Sequence, residues 1–235
     1  NEVINTLPSS HVNSNLLIDF DKDESSEIYK VLGSYWNPLK DIIQFKQISE
    51  MQLKEKSLVV DYHPTKRELL SFVMKIYDIL GLIAHFIIRG RMIIQRVWKE
   101  QLGWDDPISD DIQQLWKLWL EKFDEISNLE IPRHYGYISN DVIDVQIHLF
   151  SDASAEAYAA CAYLRFKFNN GSISTILVFA KARVAPLKHT TIPKMELNGA
   201  LIAARIHTMV KKQHTRITTS TSWFWTDSEI VLKWI

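Results

Sequence analysis

Three carboxylates in the last third of the chain stand where a fold could bring them together: Asp152, Glu196 and Asp227. Asp152 lies in "HLFSDASAEAYAACAYLRF" (148–166), where an apolar strand pattern meets an acid, passes through small residues and resumes. An acid in the middle of a sheet is costly unless it is paired or binds a metal. Glu196 falls in the first turn of the helical pattern "IPKMELNGALIAARIHTMV", and Asp227 follows "WFWT" at a strand end and helix start. Two adjacent strand ends and one helix start can converge on a point. Three carboxylates there make an oxygen-rich site for Mg²⁺ or Mn²⁺. Two such ions clamp the attacking water and the leaving oxygen of a phosphodiester. Taken singly, each acid has an ordinary role: Asp152 in a turn or helix cap, Glu196 in a first helical turn, Asp227 as a helix cap. Their order along a strand, meander, helix and returning strand favours the metal site.

The elements that must position these acids follow from periodicity. Strands are expected at Val145–Phe150, Ala157–Lys167 and Ser172–Arg183, a helix at Pro193–Lys212, a strand at Ser222–Thr226 and a helix from Ser228. Upstream, Thr65 to Phe123 reads as helical. "TKRELLSFVMKIYDILG" opens on a Thr65/Glu68 capping box and carries apolar residues at helical spacing, with Gly81 as the expected stop. "FIIRGRMIIQRVWKEQL" and "SDDIQQLWKLWLEKFDEI" give two more helices, the second with aspartates in its first turn. The segment 127–144 has Pro, Gly and Asn without a strong period and reads as a linker. In residues 1–57, "LLIDF" and 29–45 suggest strands, with Asn37-Pro38 at a turn and "DKDESSE" as a solvated loop.

Composition narrows the class. The chain has 235 residues, 46% hydrophobic and 23% charged, enough for one or two domains with a sizeable core. With 27 Lys+Arg against 28 Asp+Glu there is no overall basic signature, so any nucleic-acid footprint must be local. A single cysteine, Cys161, excludes an internal disulfide framework and fits a reducing compartment. The longest apolar run, Ile79–Ile88, is half of what a bilayer requires, and no signal peptide is visible. Starting at Asn1 and stopping inside the apolar pattern "VLKWI", the sequence reads as a piece of something longer.

With "FSDAS", "KMELNGALIAARI" and "FWTDSEIVLKWI" in view, the chain resembles the ribonuclease H domain of LTR retrotransposon polyproteins, most closely the Bel/Pao group. "YKVLGSYWNP", "TKRELLSFVMKIYDILGLI" and "RMIIQRVWKEQLGWDDPI" resemble the segment that joins reverse transcriptase to ribonuclease H there. The resemblance runs from about residue 29 to 235. It implies an α/β (α+β) fold, with a helical thumb- or connection-like region followed by a C-terminally truncated ribonuclease H-like mixed sheet with flanking helices. The implied divisions are 1–57, the end of reverse transcriptase-like strands; 58–135, the helical region; and 141–235, the ribonuclease H-like domain. It further implies Mg²⁺- or Mn²⁺-dependent hydrolysis of the RNA strand of an RNA/DNA hybrid, with Asp152, Glu196 and Asp227 as metal ligands. Implied partners are the hybrid and the rest of the Pol polyprotein, polymerase domain and integrase included, and no membrane. The implied location is cytoplasmic, in virus-like particles, with a nuclear phase open to it.

Two departures from the family pattern stand out. Its fourth acid lies some tens of residues beyond the third, whereas this chain ends eight residues after Asp227. The two-ion site is then incomplete, and weak metal binding and poor cleavage are expected of the chain alone. Where the family usually shows "DPLG", this chain has "DILG", with Ile79 for proline. No Tyr-x-Asp-Asp polymerase signature occurs. The region is sometimes catalogued under a Pao peptidase name, yet neither Asp-Thr-Gly nor Asp-Ser-Gly is present. A non-catalytic remnant that binds nucleic acid or a partner is the competing class.

Basic residues beside the acids, Lys181, Arg183, Lys188 and Lys194, are candidates to hold the phosphates of a hybrid. Arg89, Arg91 and Arg96 could track a phosphate backbone or form a solvated helix face. Trp98, Trp104, Trp116 and Trp119 have helical spacing and read as core. His134, His148, His189, His207 and His214 show no ligand spacing with cysteine. Ser151, Ser154 and Ser222 lack a nucleophile-elbow context.

Overall fold

The computed structural model describes residues 29–31, 34–45, 62–135, 141–188, 190–215 and 217–235. The strand expected at Leu16–Phe20, the loop after it and His189 lie outside that set. Two four-stranded sheets and a helical group make up the described chain.

The first sheet contains β1 (Tyr29–Val31), β2 (Ser34–Asn37) and β3 (Ile42–Gln44), paired antiparallel around the turn at Asn37-Pro38. Its fourth strand, β4 (Ile131–Pro132), pairs with β3 from within the stretch that sequence alone assigned to a linker. Arg133 fixes that return: its N–H donates to the Asp41 carbonyl at 2.9 Å, and its guanidinium grips the Asp41 carboxylate and lowers that group's pKa.

The helices are α1 (Lys66–Met74), α2 (Ala84–Lys99), α3 (Asp110–Glu121) and α4 (Phe123–Ser127). The Thr65/Glu68 capping box is formed, with Thr65 N–H donating to Glu68 Oε2 at 2.9 Å. Helix α1 nevertheless ends at Met74, well short of Gly81. Lys75 and Ile76 close a tight last turn onto the carbonyls of Phe72 and Val73. The Asp78 carboxylate then takes the N–H groups of Leu82 and Ile83, each at 2.8 Å, just ahead of α2. Burial raises the Asp78 pKa, and these backbone donors oppose the rise. Gly81 therefore serves as a close approach rather than a helix stop. Its φ is 75°, and a Cβ there would lie 1.8 Å from the Ala180 carbonyl oxygen. The adjacent Leu80 carbonyl accepts from Ala180 N–H at 2.9 Å, which ties the helical group to the second sheet.

Aromatics fill the helical core. Phe72, Phe86, Trp116, Trp119 and Phe123 are buried and meet edge-on or stacked at 4.8–6.2 Å. The Trp119 indole N–H donates to the Phe86 carbonyl at 3.0 Å, so its polar atom is satisfied. Trp104 departs from the core expectation: it is 48% exposed, with its ring edge-on to the partly buried Trp98. The Lys66 ammonium lies 4.1 Å from the centre of the Trp98 ring, a cation–π contact that covers this corner.

The second sheet has the order β7 (Ile173–Val184), β6 (Ala157–Phe168), β5 (Val142–Ala153), β8 (Thr221–Trp225). β5, β6 and β7 form an antiparallel meander, and β8 returns parallel to β5. Parallel neighbours need a crossover, and α5 (Ile192–Gln213) lies in that connection. Alternation along β5 buries Val145, Ile147 and Leu149 with α5's Ile202, Ala203, Ile206 and Val210. A short α6 (Glu229–Trp234) follows β8. The whole is a mixed α/β molecule, as the sequence led us to expect.

Candidate metal centre

The three acids come to one end of the second sheet. In the parallel pair, Phe150 stands opposite Trp225, and Asp152 and Asp227 each lie two residues further along their chains. Helix α5 reaches the same end because Gly199 lets it sit on the strands. A Cβ at Gly199 would lie 3.2 Å from the Asp152 carbonyl oxygen and 3.4 Å from that of Ala159. Glu196 is three residues earlier, on the same face of the helix. Its carboxylate accepts a hydrogen bond at Oε2 from the Ser228 hydroxyl, directly after Asp227.

The burial differs from what the sequence suggests. Asp152 remains within β5, opposite Ala159, but its side chain is exposed. A charge in the sheet centre is therefore not the problem it had seemed. Asp227 is exposed as well, and Glu196 is half-buried. Asp152 Oδ1 accepts from the N–H of Ala153 at 2.6 Å. Among the described residues, no three His, Cys, Asp or Glu side chains form a group ready to hold a metal ion. Asp152 and Glu196 each direct one carboxylate oxygen to a nearby donor and retain the other. The donor set is all oxygen, on adjacent strand ends and a helix start, which suits a hard divalent cation such as Mg²⁺ or Mn²⁺.

A cleft of about 1440 Å³ opens beside the acids, between the helical group and the sheet. Asp152 and Asp227 border it together with Arg89, Arg96 and Lys181, all exposed. Acidic residues are there too, and Glu156 holds Arg96 in an ion pair at 3.0 Å. Arg91 and Arg183 border a smaller cavity of about 250 Å³ along the contact of α2 with β7, where Lys181 also appears. Lys188 and Lys194 are exposed and border neither. The basic candidates therefore fall into three groups, of which only Arg89, Arg96 and Lys181 share a cleft with the acids.

An aromatic array that sequence reasoning read only as strand continues from the acids across the open face of the sheet. Phe150 and His148 stack on Trp225 with ring centres 6.1 and 6.0 Å apart, and Trp223 stacks on it from the other side in sequence. Phe150, Trp223 and Trp225 are exposed. Trp225 Nε1–H donates to His148 Nδ1 at 3.1 Å, which requires that nitrogen to be unprotonated. Burial, with a smaller contribution from Arg165, lowers the His148 pKa. The signal for this array was the spacing of the two tryptophans in "WFW", two residues apart on a strand. Two other histidines have structural partners: His207 Nε2 with the Ser222 hydroxyl at 2.9 Å, and His214 Nε2 with Tyr135 Oη at 2.6 Å.

A mixed sheet with one parallel pair at its edge, a crossover helix and acids at the strand ends defines an α/β domain with carboxylates beside a cleft. Residues 65–228 match the model of a family described as "Pao retrotransposon-like RNaseH-like domain". The match spans more than half of the chain, and the chain belongs to that family. It is thus an RNase H-like domain of a retroelement, as its motifs suggested. Among curated proteins none matches. A solved structure similar to it is that of the foamy viral protease-reverse transcriptase dRH in complex with double-stranded DNA, at 13% identity and a TM-score of 0.42. That similarity covers 88% of this chain and 32% of the viral one, so the chain spans about a third of that protein's length.

Proposed function

We propose that this domain hydrolyses the RNA strand of RNA/DNA hybrids, with Asp152, Glu196 and Asp227 holding Mg²⁺ or Mn²⁺. The observation that carries this reading is the arrival of all three acids at one end of the sheet, two by parallel pairing of β5 with β8 and one by the seat of α5 at Gly199. When bound, the ions would supply an activated water and neutralise charge on the phosphodiester. Lys181, Arg89 and Arg96 border the cleft that Asp152 and Asp227 also line and are suited to hold phosphates. Arg91, Arg183, Lys188 and Lys194 would act further along a bound strand. In the parent polyprotein the helical group would join the polymerase to this domain, within cytoplasmic particles.

Labelled RNA/DNA hybrid incubated with this chain and Mn²⁺ tests the reading. Cleavage by the wild type that disappears in Asp152→Asn, with the fold unchanged by circular dichroism, is the expected result. Equal cleavage by both would remove Asp152 from the site. A second reading, binding without cleavage, draws on the absence of a ready metal group among the described residues. It predicts hybrid binding that survives Asp152→Asn and no cleavage by either chain.

A further inference from the structure

The short α6 begins at Ser228, whose hydroxyl does two things. It accepts the Val231 N–H at 3.2 Å, capping the helix, and it donates to Glu196 Oε2. A serine hydroxyl has one hydrogen. The Val231 N–H occupies its acceptor side, and a carboxylate can only accept, so the hydrogen must point at Glu196. Ser228 is 6% exposed, and its own N–H is held by Thr226 Oγ1 at 3.2 Å. The hydroxyl is therefore held by the Val231 backbone, and the residue that carries it by the Thr226 side chain. Among the described residues the Glu196 carboxylate makes no other hydrogen bond, and its long side chain would otherwise have three rotatable bonds to explore. Ser228 also follows Asp227 directly, so whatever holds Glu196 to Ser228 holds it next to Asp227.

We propose that Ser228 is the positioning residue of the metal centre, fixing the Glu196 carboxylate beside Asp227 so that its second oxygen is presented to the ion. The proposal rests on the reading that the three acids bind a divalent cation. A ligating carboxylate held by an outer hydrogen bond needs no ordering when the metal arrives, and losing such a partner costs metal affinity. Helix capping alone would give a serine no reason to face a carboxylate. Asparagine or aspartate caps as well, but aspartate would set a like charge against Glu196.

Mn²⁺ titration of the full chain, with free ion read by electron paramagnetic resonance, tests this without any cleavage. Ser228→Gly is the probing variant because glycine costs a helix cap only slightly relative to serine. The expected result is a loss of Mn²⁺ affinity of roughly 10-fold to 100-fold, with near-wild-type affinity in Ser228→Thr. In a Glu196→Gln background, Ser228→Gly should bring no further loss, since two residues acting through one contact are not additive. Unchanged or tighter binding in Ser228→Gly, while Asp152→Asn loses the ion, would overturn the positioning role and leave the metal centre standing. An equal loss in the Glu196→Gln background would show that Ser228 acts through the fold, and would overturn it too. If the wild type takes up no Mn²⁺, the metal centre and the role of Ser228 fall together.

Discussion

The helical group and the second sheet use the same residue types in opposite ways. In the helices, Trp116, Trp119, Phe72, Phe86 and Phe123 are packed on one another inside a closed core. On the sheet, Phe150, Trp223 and Trp225 also stack, more loosely at 6.1 and 6.4 Å, but stand exposed, alongside exposed acids at the strand ends. Helix α5 fills one face of that sheet, and the helical group meets the sheet at β7. The contrast separates what holds the molecule together from what is left open at its surface. Aromatic content does not mark a binding surface; aromatics left open beside ionisable groups do.

The comparison can be broken most forcefully in the helical core. Trp116→Ala should cost about 3–5 kcal/mol in urea unfolding, because Trp116 is fully buried among aromatic neighbours. Trp223→Ala should stay within about 0.5 kcal/mol, as exposed substitutions usually do. Comparable losses at both positions would dissolve the distinction between the two regions.

A smaller effect is expected at the seat of α5. Gly199→Val puts side-chain atoms against the carbonyls of Asp152 and Ala159, already 3.2 and 3.4 Å from a Cβ. Overpacking of this kind costs about 1–3 kcal/mol. It should also lift Glu196 away from the strand ends, so Mn²⁺ affinity falls together with stability. An unchanged affinity in a destabilised Gly199→Val would separate Glu196 from the site. Trp225→Ala should leave stability nearly unchanged and weaken single-stranded nucleic-acid binding, by about 1–3 kcal/mol if a base stacks there, as read by fluorescence anisotropy.

The smallest effect concerns pH. Burial lowers the pKa of both His148 and His207 from 6.5. The unfolded chain then binds these protons first as pH falls, so their stabilisation is complete above pH 6.5 and declines below it. Melting temperature should drop modestly between pH 7.5 and 5.5, and His148→Gln should flatten the slope. A steeper slope in that variant would reverse the sign assigned to His148.

Much of this fold is legible from local pattern. The Thr65/Glu68 box and the alternation through β5 depend on residues a few positions apart, and the structure shows both. What sequence misplaced depends on distant contacts. Helix α1 looks continuous to Gly81, yet the chain turns there to meet Ala180, about a hundred residues on. Ile131–Pro132 has no periodic signal and becomes a strand only because β3 offers it a partner. Trp104 has core spacing but is held outside by Lys66 and Trp98. The acids of the site are legible by type and order, whereas their exposure and the grip of Ser228 on Glu196 appear only once β8 lies beside β5.

The measurement that bears most directly on the metal centre is paramagnetic broadening of backbone amide signals by substoichiometric Mn²⁺. Broadening should centre on the amides of Ala153, Glu196 and Ser228 and leave those of α1 and α3 sharp. Broadening centred elsewhere, or none at any of the three, would contradict a metal centre at the end of this sheet.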